Sequence, residues 1–329
     1  KNGDAYTNVF CSSNGKEYYV GDDGQLVRSE WVDYDGSYYF VNSSGAKITN
    51  DWRLTTPYDD DSADEDEYWY YLKKITGKPA TGKQSNINGQ IYLFNNEGQM
   101  QVGWVARSDS KTKNFVQLDK EDNEQDMILL KDYADSEVYY CGDEDDGHAK
   151  KNKWLKTWLP SDTEEEEDDK EWFWFDKNGK LYRASGSDAV KAQKYKLEEG
   201  DLVYDGGSIT GVEKKKVNSK DYWSTKDGVM LSKFYLINDA MYYFGGSDDG
   251  SMKTGSQSIK DNAGDTYKFY FYTKDQTTDK YQTPKAGNKL KKGAGVVGNQ
   301  SNKLYYYGLL LTADDYKYQV AKVSGYEFI

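Results

Sequence analysis

Apolar positions along this chain come in short aromatic clusters separated by polar, glycine-containing turns. Gly15-Lys16-Glu17-Tyr18-Tyr19-Val20 runs into Gly21-Asp22-Asp23-Gly24, with Leu26 and Trp31 beyond. Gly36-Ser37-Tyr38-Tyr39-Phe40-Val41 repeats the pattern, followed by Gly45, Ile48 and Trp52. The step is 21 residues from Gly24 to Gly45 and again from Trp31 to Trp52. Ile91-Tyr92-Leu93-Phe94 returns with Gly98, Met100 and Trp104. Trp172-Phe173-Trp174-Phe175, Tyr222-Trp223 and Tyr242-Tyr243-Phe244 are further copies, each with its own downstream Gly. Weaker copies sit at Trp69-Tyr70-Tyr71, Tyr139-Tyr140 and Tyr305-Tyr306-Tyr307.

Each copy predicts an aromatic strand of three or four residues and a tight turn in which Gly takes positive φ. A second short strand then carries Met, Leu or Ile two residues after the Gly, and a Trp opens the connection to the next copy. A lone two-stranded hairpin is marginal in water. Stacking one on the next buries each aromatic face, which is the logic of a repeat array. The expected fold is therefore all-β: a solenoid of stacked short β-hairpin repeats with loop insertions. One short helix is expected over residues 188–199. Acidic insertions at 58–67, 119–126, 143–146 and 161–169 are expected to loop out of the stack. Residues 183–211 are the least repeat-like, so the chain divides into an N-terminal array, 1–185, and a C-terminal array, 186–329.

Composition sharpens this picture. Leu, Ile, Val and Phe make up only about one sixth of the chain, a level usually read as disordered. Against that stand 31 Tyr and 9 Trp, whose rings each remove roughly 150–250 Å² from water when buried. The net charge of −13 argues against a nucleic-acid partner, because phosphate binding needs a basic stripe. No apolar run is long enough to span a membrane. No leader is visible, and a chain starting at Lys1 without Met is expected to follow a removed one. Cys11 and Cys141 leave two readings open, one long-range disulfide or two free thiols.

The pattern Gly-x-aromatic-Tyr-Tyr-Phe, then Gly-x-Met and Gly-Trp, resembles the cell-wall-binding repeat. It is carried most closely by Gln90 to Trp104 and Tyr235 to Gly255. That family includes choline-binding modules of streptococcal surface proteins, glucan-binding tails of glucansucrases and receptor-binding repeats of clostridial toxins. The resemblance implies a secreted or cell-surface, cell-wall-associated protein with ligand sites between successive units. In choline-binding members it implies a cage for a quaternary ammonium, held by cation–π attraction. The cage is made from the Trp heading a repeat, the first aromatic of the box, and a Trp or Met of the following unit. Here the first box position is Glu17, Tyr38, Ile91 and Val138 in four copies, and aromatic as Trp69 and Trp172 in two others. Choline is thus a candidate ligand that most junctions are not built to hold.

Two junctions stand out as ligand-binding candidates: Trp31, Tyr38, Ile48 and Trp52, and then Tyr92, Met100 and Trp104. Their aromatics suit pyranose rings, and they equally suit the core of each hairpin. The acidic runs lack the spaced ligands and Gly of a calcium loop, so solvated charge is expected and no metal. The single histidine, His148, lies in an acidic stretch. No Ser-His-Asp or Cys-His constellation, phosphate loop or zinc motif is present, so no catalytic residue and no cofactor are expected. The sequence reads as a non-catalytic binding module attaching to a cell-wall or other glycan polymer. A protein-interaction or structural spacer that has lost its ligand sites, and a glycan hydrolase, are the alternatives.

Overall fold

A computed structural model describes residues 3, 5–58, 66–107, 114–118, 136–160, 169–185, 190–276, 291–313, 317–323 and 326–328. It is all-β, with no α-helix among the described residues. The acidic segments at 119–126 and most of 58–67 and 161–169 lie outside them.

The first compact unit is a series of antiparallel hairpins. They pair β1 (Val9–Ser13) with β2 (Lys16–Val20), β3 (Glu30–Asp33) with β4 (Tyr38–Val41), β5 (Asp51–Thr55) with β6 (Tyr68–Leu72) and β7 (Gly82–Ile87) with β8 (Gln90–Phe94). Then β9 (Gly103–Arg107) lies between β10 (Phe115–Gln117) and β11 (Val138–Cys141). The division between the two compact units runs through the hairpin of β12 (Lys153–Thr157) and β13 (Glu171–Phe175).

The pairing differs from the sequence expectation in one respect. The aromatic strand forms its ladder with the Trp strand before it and meets the segment after the next Gly only at a single bridge. Trp31 lies opposite Phe40, Trp52 opposite Tyr71 and Trp104 opposite Tyr140. Where the strands of a hairpin join directly, the turn has two residues with positive φ at both places, as at Asn14-Gly15, Asp35-Gly36 and Asn88-Gly89, whereas β5 and β6 are joined through residues 56–67. That geometry matches the right-handed twist of the flanking strands.

The segment after each second Gly makes one isolated bridge to its own aromatic strand, Val41 to Lys47 and Phe94 to Met100 among them. Its neighbours bond the same strand: Asn42 N–H donates to Ala46 O at 2.9 Å and Ile48 N–H to Phe40 O at 2.9 Å. Lys47 between them points its N–H the other way, because successive residues of an extended chain alternate direction. It donates to Glu17 O of the preceding hairpin at 2.8 Å. The same bond recurs from Met100 to Trp69, Ala149 to Ile91, Leu181 to Val138, Met230 to Trp172, Met252 to Asp221 and Gly295 to Met241. Each donor stands two residues after its turn Gly, and each acceptor is the first residue of the preceding aromatic box. Pro79 holds this place after Gly77 and has no N–H to give, so that step of the ladder lacks its rung.

The second unit opens with a long hairpin where the sequence is least repeat-like. Here β14 (Val190–Glu198) and β15 (Asp201–Val217) form a five-stranded sheet with β16 (Lys220–Ser224), β17 (Phe234–Ile237) and β18 (Ala240–Tyr243). The expected helix at 188–199 is therefore wrong: residues 190–198 are strand. The helix-forming Lys, Gln and Glu of this stretch yield to pairing on both sides, Ala192 with Ile209 and with Ile237. Ala192 packs among Val212, Tyr235 and Phe244, and Leu197 among Phe234, Met241 and Phe269. A second five-stranded sheet joins β19 (Gly255–Lys260), β20 (Thr266–Phe271), β21 (Gly298–Gln300), β22 (Lys303–Tyr306) and β23 (Leu309–Leu310). The last hairpin is β24 (Ala321–Val323) with β25 (Tyr326–Phe328). Cys11 and Cys141 are both free thiols.

Candidate functional site

The ladder fixes what meets at a junction. The Trp of one hairpin's first strand faces the aromatic strand of its own hairpin and that of the next. Trp31 packs against Phe40 at 5.2 Å and Tyr70 at 5.0 Å, Trp52 against Tyr71 at 5.2 Å and Tyr92 at 4.8 Å, and Trp104 against Tyr140 at 5.2 Å and Phe175 at 5.9 Å. The candidate residues therefore fall into three clusters and not the two expected. Trp31, Tyr38 and Ile48 share the first. Trp52 leaves them to join Tyr92 and Met100. Trp104 leaves Tyr92 and Met100 for a third.

The first cluster is closed. Ile48 is buried with Phe40, Tyr70 and Leu72. Trp31 and Tyr38 are bridged by Tyr58, a residue not singled out in the sequence. The Tyr58 ring stacks on Tyr38 at 4.0 Å with 24° between planes and meets Trp31 edge-on at 5.2 Å. The Trp31 indole N–H donates to Thr56 O at 2.9 Å.

The third cluster is closed in a related way. Trp104 is 5% exposed, and its indole N–H donates to Trp158 O at 2.9 Å. Thr56 and Trp158 each follow directly on the first strand of the next hairpin, β5 and β12.

The second cluster differs in its donors and not in its exposure: Trp52, Trp69, Tyr92 and Met100 are half-buried, as are Trp31, Tyr38 and Tyr58 of the first. Trp69 stands at 87° to Trp52 with centroids 6.4 Å apart, Tyr92 meets Trp52 at 63°, and Phe94 stacks on it at 5.9 Å with 29° between planes. Leu54 lies opposite Trp69 in the hairpin and is 41% exposed, extending the apolar rim. Neither the Trp52 nor the Trp69 indole N–H has a partner among the described residues. Half-buried aromatic rings and two indole donors without a partner among the described residues suit a ring that carries hydroxyl groups. Burial, and secondarily the charge of Asp146, hold the Tyr92 phenol above its ordinary range, so it too remains a donor. Trp69 was legible in the sequence as an aromatic first box residue; only its irregular spacing from neighbouring copies hid its partnership with Trp52.

Elsewhere the ionisable groups are taken up by structure. Asp146 accepts from Lys150 and pairs with His148. Burial pushes its carboxyl up, but these two partners outweigh that and hold it below the ordinary carboxylate range. Lys83 donates to the Tyr139 hydroxyl at 3.0 Å and to Asn178 O at 2.8 Å, tying three hairpins together. Among the described residues no group of three His, Cys, Asp or Glu is placed to hold a metal ion. Among the described residues no helix is long and apolar enough to cross a membrane.

No family model matches the chain. Over 93 residues, 28% of this chain, it is 37% identical to Glucosyltransferase-S of Streptococcus mutans serotype c, of which that covers 6%. Over 286 residues, 77% of this chain, it is 24% identical to Glucosyltransferase-I of Streptococcus downei, of which that covers 16%. The chain thus spans under a fifth of the length of these two relatives. The modular autolysin LytC from Streptococcus pneumoniae aligns with 95% of this chain and 50% of its own, at 18% identity and a TM-score of 0.44. Choline binding protein F from Streptococcus pneumoniae, solved with a peptidoglycan analogue, aligns over 93% of both chains at 16% identity and a TM-score of 0.30.

Proposed function

We propose that the chain is a non-catalytic module of the cell-wall-binding-repeat kind, secreted or held at the cell surface, that attaches to a glycan polymer. The observation that carries this reading is the junction of Trp52, Trp69 and Tyr92, whose two indole donors have no partner among the described residues. The local sequence similarity to two glucosyltransferases supports a glucan as the polymer, since glucosyl units are what such enzymes are named for. The division into two compact units supports two arrays, residues 1–185 and 186–329, that engage one polymer with shared avidity.

The test is titration of the whole chain with dextran and with isolated bacterial cell walls. Binding to at least one is expected, with a loss of tenfold or more in Trp69→Ala. Absence of binding to both polymers sinks the proposal and leaves the protein-interaction spacer as the better account. Release of glucose or wall fragments during the titration would favour the hydrolase instead.

A second reading of the same junction is choline. Trp52, Trp69 and Met100 supply the heading Trp, first box aromatic and following Met that a quaternary-ammonium cage takes, with each cation–π contact worth roughly 0.5–2 kcal/mol. Competition of polymer binding by free choline separates the two: a glycan face is indifferent to it, and an ammonium cage is emptied by it.

A further inference from the structure

We infer that Tyr58 is a built-in occupant of the Trp31–Tyr38 junction, filling a pyranose-binding site that removal of its ring would open. The inference rests on the glycan reading for the ligand's identity, but the occupancy itself stands on geometry alone.

The Trp31 and Trp52 junctions are equivalent by construction. Trp31 is the second residue of β3 as Trp52 is of β5, and each lies across from the aromatic strand of its own hairpin. Tyr38 opens its box as Trp69 opens the next. Each heading Trp then reaches the aromatic strand of the following hairpin, Trp31 at Tyr70 (5.0 Å) and Trp52 at Tyr92 (4.8 Å) and Phe94 (5.9 Å). What differs is the space between heading Trp and first box residue. At the second junction nothing among the described residues takes up the two indole donors. At the first, Tyr58 lies face-on to Tyr38 at 4.0 Å and edge-on to Trp31 at 5.2 Å, and Thr56 O takes the Trp31 N–H at 2.9 Å.

These are the two interactions a sugar ring would make there: a flat face laid on an aromatic ring, and an oxygen accepting from the indole. The Thr56-Pro57-Tyr58 strap supplies both from the protein's own chain. Pro57 fixes φ within the strap and lowers the entropy lost in holding it down. A ligand at this junction must first displace an intramolecular competitor, whose effective concentration is in the millimolar range for so short a tether. The Trp31 junction is thus silent in the intact chain while Trp52 is available.

The experiment uses the full chain and two probes. Isomaltooligosaccharide titration followed by calorimetry counts sugar sites. Para-cresol, which has the shape of the lost side chain, reports on the vacated space through Trp fluorescence. Tyr58→Ala is expected to bind one more oligosaccharide than the parent and to bind para-cresol, which the parent does not. Adding Trp31→Phe is expected to abolish the para-cresol fluorescence response. Pro57→Gly, which keeps every ring, serves as the second variant should Tyr58→Ala unfold, and is expected to bind para-cresol more weakly. If neither variant binds para-cresol while folded, Tyr58 is ordinary core and the inference is overturned, whatever the sugar result. If Tyr58→Ala binds para-cresol but gains no sugar site although the parent binds sugar, the vacated space is not a pyranose site and the inference also fails. If para-cresol binds and no form of the protein binds sugar, the occupancy stands and the glycan reading is what falls.

Discussion

Gly45 lies directly on Leu26: a Cβ built on the glycine would sit 2.7 Å from the leucine Cγ and 2.9 Å from the Val27 carbonyl oxygen. The relationship repeats along the array, with Gly98 on Pro79 and Gly179 on Ala149. The turn glycine of one hairpin rests on the residue two past the turn glycine of the hairpin before. Gly45→Ala therefore meets both a positive φ of 80° and a backbone clash. Gly36→Ala meets a positive φ of 66° and open space. Both substitutions cost about 1–2 kcal/mol for the left-handed backbone, and Gly45→Ala a further 1–3 kcal/mol or so for overpacking. Urea midpoints of the two variants check the difference, and equal midpoints would show that the turns do not stack this closely.

The rung from Met100 to Trp69 O, at 2.9 Å, separates backbone from side-chain contributions. Met100→Pro loses the N–H as well as the packing, whereas Met100→Ala loses only the packing. The proline variant is expected to be less stable than the alanine variant by about 1–3 kcal/mol, the cost of an orphaned carbonyl and a lost bond. A difference of zero in chemical denaturation would mean that the ladder contributes nothing to cohesion.

Alkaline pH should loosen the second unit. Burial pushes the Tyr235 and Tyr242 phenols up to about 12, with smaller contributions from Glu171 and Asp205 on the first and Asp275 on the second. An unfolded tyrosine ionises near pH 10. Below that both states keep their protons and the contribution is fully present. Between about pH 10 and 12 the unfolded chain releases protons that the fold retains, so stability falls as pH rises. Tyrosinate absorbance and near-ultraviolet circular dichroism followed together are expected to change in concert across that interval. Titration of every tyrosine near pH 10 with the dichroism intact would contradict it.

The two thiols should differ sharply. Cys141 is fully buried, and burial pushes its pKa far above the ordinary thiol range, so little thiolate forms. Cys11 is partly exposed. A disulfide reagent is expected to modify one thiol rapidly in the native protein and the second only after denaturation. Rapid modification of both would show that β11 does not keep Cys141 buried.

Much of this architecture is legible in the sequence, because its punctuation is chemical. Positive φ suits Gly at 24, 45, 98, 179, 228 and 250, each has an aromatic strand a few residues before it, and after the first three a Trp stands six or seven residues on. The strand pairing is not legible, because each aromatic strand has a glycine turn on either side. Which turn closes the hairpin depends on where the N–H of the residue two past the Gly points. The helix expected at 188–199 failed because propensity in Lys-, Gln- and Glu-rich stretches is weak beside pairing on two edges. The candidate residues were each placed at a junction, but their grouping was shifted by one hairpin for Trp52 and Trp104. Tyr58 carried no signal at all, since it belongs to an insertion with no periodicity and acquires its role only through Trp31 and Tyr38.

The single-rung ladder also sets how the protein meets force. Within the first compact unit, tension along the array loads the backbone rungs in series, so its hairpins are expected to peel away one after another, whereas the five-stranded sheets of the second unit join theirs by longer ladders. Each detachment releases a short length of chain at modest load, which makes the array a compliant tether. The Pro79 step has no such rung, and there the Trp31 indole bond to Thr56 O at 2.9 Å and the Lys78 bond to Ser37 Oγ at 2.7 Å take the load between the two hairpins instead.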